Sequence, residues 1–239
     1  MELLSTFFNE ALYRPLLNIL FLFYQYVPGH DMGVAVILIT LLIRFIFYPL
    51  GLQAIRAQKQ TAEIQPKIKE LQVKYKNDKE AQTKAIMDLY KEHKFNPFSG
   101  CLPLLVQFPF LIALYQIFLH GINSDAAAKL YSFVPTFTSL NPLFLGFVDL
   151  THPNTVLAVL AGVAQFIQFK TMPQQKNNSN SGKPDIMQAM SKQMGFVFPI
   201  MALIICLTLP SAVALYWITT TVFSIAQQLL VFKKPKTNQ

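Results

Sequence analysis

The chain has 239 residues, of which 53% are hydrophobic and 13% charged, whereas soluble domains carry about 25% charged residues. The net charge of +8 does not indicate nucleic-acid binding, because the lysines alternate with acidic residues in one segment and no nucleic-acid-binding motif accompanies them. Cys101 and Cys206 lie in apolar stretches without metal-binding spacing, which gives no sign of a metal site or a disulfide framework, and the bilayer is the expected solvent.

Residues 1–32 are predicted to form an extracytoplasmic N-terminal region with an interfacial amphipathic helix. Residues 11–27 are apolar and aromatic, but Arg14 and Asn18 interrupt them, and a Pro-Gly pair follows before about 20 apolar residues accumulate. This pattern favours a helix at the interface over a span. Glu2 stands where a signal peptide carries positive charge, so we expect the segment to be retained.

The remaining chain contains five apolar segments that we expect to cross the membrane. Prolines within the second segment are tolerated if neighbouring groups bind the freed carbonyls. Residues 121–153 have the composition of a loop at an interface, and residues 174–183 that of a flexible linker. The predicted spans are residues 33–55, 98–120, 154–169, 195–209 and 212–232.

The distribution of Lys and Arg predicts the orientation of these five spans. Most of the 20 Lys and Arg residues fall in segments 56–94 and 170–192 and in the tail 233–239, all on one side. The opposite side carries only Arg14 and Lys129. By the positive-inside rule, the N-terminus is outside and the basic tail is cytoplasmic.

Residues 62–93 are expected to form a cytoplasmic helical hairpin, because apolar positions recur at helical spacing. Asn77, with Glu80 three residues later, resembles a capping arrangement for the second helix. Each helix has one narrow apolar stripe, so the pair should pack along one seam. Joints at 56–61 and 94–97 would let this pair rock relative to the spans.

Two interpretations of the hairpin are open. It is either a solvated spacer or a docking arm that meets a ribosome, a targeting receptor or an emerging chain. Its basic face suits anionic lipid or ribosomal RNA equally well.

Arg44 is the one charged residue in the first predicted span. In a continuous helix over 33–55 it would lie about 16 to 18 Å from either end. A buried Arg near the bilayer centre costs about 2.5 to 3.5 kcal/mol. The other four predicted spans contain no Asp or Glu, so an ion pair within the membrane is excluded.

Either protein groups or water must therefore solvate Arg44. The protein groups would be carbonyls freed by prolines, or Thr and Gln side chains, and the water would fill a cavity reached from one side. Thr40 and Tyr48 lie one turn before and after Arg44, which predicts one polar strip. Trp217, the only tryptophan, suits either an interfacial or a groove-lining position. The polar residues available to line a cavity are Thr40, Gln165, Gln168, Tyr216, Thr219 and Thr220.

Four segments resemble the YidC family of membrane protein insertases, in order and with suitable spacing over residues 33–232. The family's long form has a large extracytoplasmic domain and an extra first span, so this sequence resembles the short form. The resemblance implies a five-helix core around a hydrophilic groove that is open to the cytoplasm and to lipid. The segments are ITLLIRFIFYPL (39–50), QPKIKELQVKYKND (65–78), NPFSGCLPLLVQFPFLIALY (96–115) and PSAVALYWITTTVFSIAQQLL (210–230).

The same resemblance implies a client-binding groove centred on Arg44. Thr40 matches a groove threonine and Gln168 a polar position on the third core helix. Tyr216 and Trp217 match the aromatic pair of the last helix. Gln165, beside Gln168, is included on a shorter match.

The implied function is insertion and folding of client transmembrane segments in the bacterial inner membrane, without nucleotide hydrolysis or a cofactor. The implied partners are nascent membrane proteins and the bilayer, together with a ribosome or targeting receptor at the hairpin and a Sec translocon. A small-anion channel or secondary transporter is the alternative for a buried Arg, although matching halves with broken helices are not evident. A non-catalytic assembly scaffold is the third class. An enzyme is disfavoured, because no His, Ser or Cys stands near an acid or base within the predicted spans.

Overall fold

The computed structural model of the chain describes residues 2–93, 102–120, 129–135, 140–172 and 186–233. The predicted linker 174–183, the predicted joint 94–97, Cys101 and residues 234–239 of the basic tail lie outside them.

The described chain is predominantly helical, as the sequence predicts. The four later predicted spans correspond to α6, α7, α8 and α9, and α8 begins well before residue 195. The elements in chain order are α1 (Glu2–Phe8), a π-helical segment (Asn9–Tyr13), α2 (Arg14–Tyr26), α3 (Met32–Ile46), α4 (Tyr48–Lys74), α5 (Lys79–Glu92), α6 (Leu102–His120), β1 (Leu143–Phe144), β2 (Val148–Asp149), α7 (Thr155–Thr171), α8 (Ile186–Thr208) and α9 (Ser211–Lys233).

The first predicted span is not one continuous helix. α3 ends before Phe47, which has φ −90° and ψ 13°, and the axis of α4 then differs from that of α3 by 68°. Pro49 has no backbone N–H to donate to the carbonyl of Phe45 in the preceding turn, so the hydrogen-bond ladder of α3 does not continue through it. Pro49 is instead accommodated in the first turn of α4. The prediction of an unbroken helix over 33–55 is therefore wrong.

Two hydrophobic clusters of described residues hold the bundle helices together, apart from the α4–α5 pair, which has its own cluster. The larger lies between α2, α3, α6 and α9 and includes the fully buried Leu17, Leu20 and Ile117. The smaller joins α7, α8 and α9 through small residues such as Ala158 and Ala161. Small residues let helices approach closely without a large side chain between them. α9 contributes to both clusters and is the central element.

Asn18 fastens α2 to the segment that follows the α6 region. Its side chain is 1% exposed. Its Nδ2 donates to the carbonyl oxygens of Arg14 at 2.7 Å and Lys129 at 3.2 Å, and its Oδ1 accepts from the Tyr131 N–H at 2.6 Å. The sequence indicated Asn18 only as an interruption of an apolar helix. In the structure its side chain connects α2 to residues 129 and 131. The interfacial position of α2 stays a prediction.

We expect Asn18→Leu to lower the free energy of unfolding by about 1 to 3 kcal/mol, because the Lys129 carbonyl and the Tyr131 N–H lose their partially buried hydrogen bonds to the Asn18 side chain. Denaturant unfolding in detergent measures this change. Asn9→Leu, at an exposed position of the π-helical segment, is the matched control. Equal stability of the two variants would contradict the connector role.

The predicted loop 121–153 contains a small β hairpin that its composition did not indicate. β1 pairs antiparallel with β2 across a turn in which Leu145 and Gly146 have positive φ. Asp31 caps α3 through the Val34 N–H and also accepts from the Leu145 N–H at 2.6 Å. A Cβ on Gly33 would lie 2.1 Å from the Phe144 ring, so only glycine permits this packing. The hairpin is thereby held on the first turn of α3.

α4 and α5 form an antiparallel helical pair. Ile64 and Ile68 of α4 pack against Leu89 of α5, and the Gln82 side chain donates to the Gln72 carbonyl at 2.9 Å. The remaining surface of α5 is largely exposed.

Two details of the predicted hairpin are wrong. α4 is helical without interruption through residues 56–61, so the predicted first joint is absent. The second helix is capped by Asp78, whose Oδ1 accepts from the N–H groups of Glu80 and Ala81, and not by Asn77. The short carboxylate of Asp78 reaches the second and third N–H groups directly, which is the usual geometry of an N-cap.

Among the described residues, one helix is long and apolar enough on its own to cross a bilayer, over Ser211–Phe232. The bent pair α3 and α4 qualifies as a second only if both helices are taken as one span. Shorter apolar helices cover Gln107–Leu119, Thr155–Thr171 and Gly195–Thr208. The five-span topology therefore stays a prediction.

Candidate functional site

Arg44 lies in the last turn of α3, immediately before the bend. The bend places Arg44 near the end of its helix and not near the middle. α3 ends at Ile46, two residues after Arg44, instead of continuing to residue 55. Its side chain is partly buried and faces α6 and α9. Among the described residues no carboxylate lies within salt-bridge distance of it.

Side chains from two other helices bind the guanidinium. Arg44 Nη2 donates to Gln107 Oε1 of α6 at 3.0 Å, and Arg44 Nε donates to Thr220 Oγ1 of α9 at a longer 3.4 Å. Gln107 Nε2 in turn donates to the Tyr216 hydroxyl at 2.7 Å. Gln107 thus fixes Arg44 and Tyr216 relative to each other. A neutral amide orients the cation here without neutralising it.

A small cavity of about 40 Å³ adjoins the guanidinium, enough for a few water molecules. Its walls come from α3, the start of α4, α6 and α9. Both explanations for a buried Arg therefore have a physical basis, since polar side chains contact Arg44 and space for water lies beside it. The lining residues are Ile43, Arg44, Phe47, Leu50, Gly51, Gln107, Phe110, Tyr216 and Gln227.

A second polar group joins α7 to α9. Trp217 Nε1 donates to Gln165 Oε1 at 3.0 Å, and Gln165 Nε2 donates to Gln168 Oε1 at 3.1 Å. Thr171, one turn further along α7, donates to Gln228 of α9. The Trp217 indole is therefore bonded to a neighbouring helix.

The six predicted site residues thus divide among different environments. Arg44 and Tyr216 meet through Gln107, whereas Gln165, Gln168 and Trp217 form the separate α7–α9 group. Adjacent α9 residues point about 100° apart, which explains why Tyr216 and Trp217 belong to different groups.

The polar strip predicted along the first helix does not form. Thr40 is fully buried and donates to the Val36 carbonyl at 2.6 Å, so its hydroxyl is satisfied within α3. Tyr48 lies beyond the bend, on α4. Residues four apart share a helix face only if the helix is continuous, and the helix is interrupted at Phe47.

Gln107 and Gln227 are two polar residues at the Arg44 cavity that were not predicted from the sequence. Gln107 stands between two prolines of a strongly apolar segment, and Gln227 belongs to a Gln-Gln pair in the last apolar segment. The signal was available, because both are polar residues inside predicted spans, the criterion that singled out Gln165. The sequence did not reveal that Gln107 faces Arg44, since this depends on the packing of α6 against α3 and α9.

The chain matches a known family over nearly its whole length. The sequence profile described as "60Kd inner membrane protein" matches residues 22–238. A "Membrane protein insertase YidC" of Geobacter metallireducens is 37% identical over 222 residues, which cover 92% of this chain and 36% of that relative. This chain therefore spans about a third of the length of that relative.

A relative of closer length is the "Membrane protein insertase YidC" of Fusobacterium nucleatum. It is 35% identical over 204 residues, covering 85% of this chain and 87% of the relative. A solved structure described as "Active YidC insertase crystal structure with the first transmembrane domain resolved" has a TM-score of 0.63 and 22% identity, over 95% of this chain and 47% of that one. That likeness concerns the fold. The profile match and the identity to relatives establish that the chain belongs to the YidC family.

Proposed function

We propose that this protein is a membrane protein insertase and chaperone of the bacterial inner membrane, which moves client segments into the bilayer through a groove centred on Arg44. The observation that carries the proposal is the Arg44 guanidinium, which polar side chains hold beside a cavity without a neutralising carboxylate among the described residues. The names of the relatives support the same activity.

The mechanism follows from solvation. A polar client tail must leave water to cross hydrocarbon, and an unpaired polar group there costs several kilocalories per mole. Arg44, Tyr216 and the amides of Gln107 and Gln165 offer such a tail transient partners within the protein. The client's apolar segment leaves sideways into lipid. The barrier is lowered by binding alone, so neither a nucleotide nor a cofactor is required.

Other sequence-derived expectations belong to the same proposal. Thr40 is buried within α3, one turn before Arg44, and supports the helix that carries it. Gln168 and Trp217 extend the groove towards α7. The α4–α5 pair is a cytoplasmic docking arm for a ribosome, a targeting receptor or the nascent client, and a Sec translocon is a further partner. The surface of α5 that does not contact α4 is available for such contacts.

Reconstitution in pure lipid vesicles tests the proposal most directly. A purified single-span client, added without nucleotide, should acquire protease protection only in vesicles that contain the protein. No protection above that of empty vesicles would refute the proposal. Chloride or phosphate flux without client transfer would instead indicate the channel alternative.

The positive-inside distribution predicts the accessibility of single cysteines introduced after Cys101 and Cys206 are replaced. Ser132→Cys should react with an impermeant maleimide on intact cells, whereas Lys79→Cys should react only after permeabilisation. Both positions are exposed, so burial does not limit labelling. Asn178→Cys, outside the described residues, should behave like Lys79→Cys. The reverse pattern would contradict the five-span topology.

A further inference from the structure

Gln227 of α9 carries a buried side-chain amide at the edge of the Arg44 site. The residue is 4% exposed, and its Nε2 has no partner among the described residues. A buried donor left unpaired costs about 1 to 3 kcal/mol. Gln227 Nε2 can therefore donate to a group that enters from outside the protein, either water in the cavity or a bound client segment.

The amide lies at the cavity beside Arg44. Gln227 lines that cavity together with Gln107 and Tyr216. A Cβ on Gly51 would lie 3.1 Å from Gln227 Oε1 and 3.3 Å from Nε2, so the bare backbone of α4 gives this side chain its room. Gly51 and Gln227 therefore form one wall of the Arg44 cavity.

The hydrogen-bond donors of Arg44 and Gln227 determine which chemical group fits this cavity. Gln107 Oε1 and Thr220 Oγ1 accept from Nη2 and Nε of Arg44, and Nη1 has no partner in the described part of the chain. Arg44 and Gln227 both line the cavity, so a guanidinium and an unpaired amide N–H border it, and no described carboxylate forms an ion pair with Arg44. Two donors and a positive charge match the two oxygens of a carboxylate.

Gln227 also lines an apolar cleft beyond the cavity. The cleft has a volume of about 520 Å³ and is bordered by Phe45, Tyr48, Phe223 and Leu230. A client segment with a carboxylate next to apolar side chains fits this pair of spaces, with the acid in the cavity and the apolar groups in the cleft. Gln227 stands where the two meet.

We infer that Gln227 is a second binding residue for client carboxylates, donating its amide N–H to the oxygen that Arg44 leaves unbound. This inference rests on the proposed function. It assigns to Gln227 a share of the discrimination between an acidic and an isosteric neutral client residue, in addition to the charge attraction that Arg44 supplies.

The test compares three variants of one purified single-span client, with Asp, Asn or Lys at one position of the translocated tail, in vesicles of fixed lipid composition. The preference of the protein for Asp over Asn should fall about five- to tenfold in Gln227→Met, which keeps the length but removes the donor. Gln227→Glu should reverse the preference, favouring Lys over Asp. Gln53→Met, at an exposed position of α4, should behave as the wild type.

Gly51→Ala tests the same inference without changing the Gln227 side chain itself. The substitution favours helix, yet its methyl group displaces the Gln227 amide. The Asp preference should fall about two- to threefold.

The outcomes separate the inference from the proposed function. If Gln227→Met slows Asp and Asn clients equally, the amide holds water or a lipid phosphate and the inference is overturned. If the Asp preference depends on Arg44 but survives Gln227→Met, the inference alone fails. If the wild type inserts all three clients equally, the proposed acidic-client groove itself fails.

Discussion

Arg44→Ala is expected to slow insertion of clients with acidic translocated tails by about tenfold or more, because truncating one partner of a buried charge pair costs about 2 to 5 kcal/mol. Arg44→Lys keeps the charge and should retain much of the activity, although Lys does not reproduce the contacts to both Gln107 and Thr220. Protease protection of Asp-tailed and Asn-tailed clients in vesicles measures both effects.

Arg56→Ala is the matched control, since Arg56 is exposed on α4 and has no described contact with the cavity. It removes the same charge and should leave the Asp preference intact. If every Arg44 substitution inserts both clients at the wild-type rate, in vesicles and in cells, the groove role of Arg44 is wrong.

Replacing residues 62–93 with a short Gly-Ser linker is expected to reduce translation-coupled insertion by at least tenfold, while the remaining helices stay folded. The residues that pack the α4–α5 seam belong to a separate hydrophobic cluster from those of the bundle. Thermal unfolding of the bundle in detergent should therefore change little. Client delivery is measured by synthesising the client in the presence of vesicles, and insertion itself by adding purified client.

Ile68→Asp is a subtler variant, because it opens the seam at a 2% exposed position and retains every basic residue. It should weaken translation-coupled insertion less than the deletion does. Since α4 is continuous from the bundle into the pair, movement of the pair relative to the bundle requires bending of α4. Pro66 within α4 has no backbone N–H to donate, which makes it the favoured point of bending. A large loss of bundle stability on deletion would identify the pair as a structural brace.

Hydrophobic patterning predicted most of the helices because each depends on local composition. α7 and α9 lie where uninterrupted apolar runs predict them, within two residues at either end. The break at Phe47 also has a local signal in the sequence, which is Pro49. The apolar run continues past Pro49, and its length favoured the prediction of one unbroken helix. Proline inside an apolar segment is compatible with either a kink or a restart, and neighbouring helices decide between the two.

The contacts of the site were less predictable because they depend on helix rotation. Arg44 was identifiable as an isolated charge, whereas its partner Gln107 is separated from it by 63 residues. The division of Tyr216 and Trp217 between two polar groups depends on which helices flank α9. The β hairpin was missed because each strand has only two residues and its fastening depends on Asp31, a distant residue.

The lengths of α3 and α7 have a consequence for the surrounding lipid. They contain 15 and 17 residues, so at 1.5 Å per residue they extend about 22 to 26 Å, against a hydrocarbon thickness of about 30 Å. If α7 crosses the bilayer as proposed, and if the membrane-crossing part of the first span ends with α3 at the bend, the mismatch draws the two leaflets together beside these helices. The lipid around the protein then contributes to catalysis of insertion, since the layer that a polar tail must cross is already thinner there.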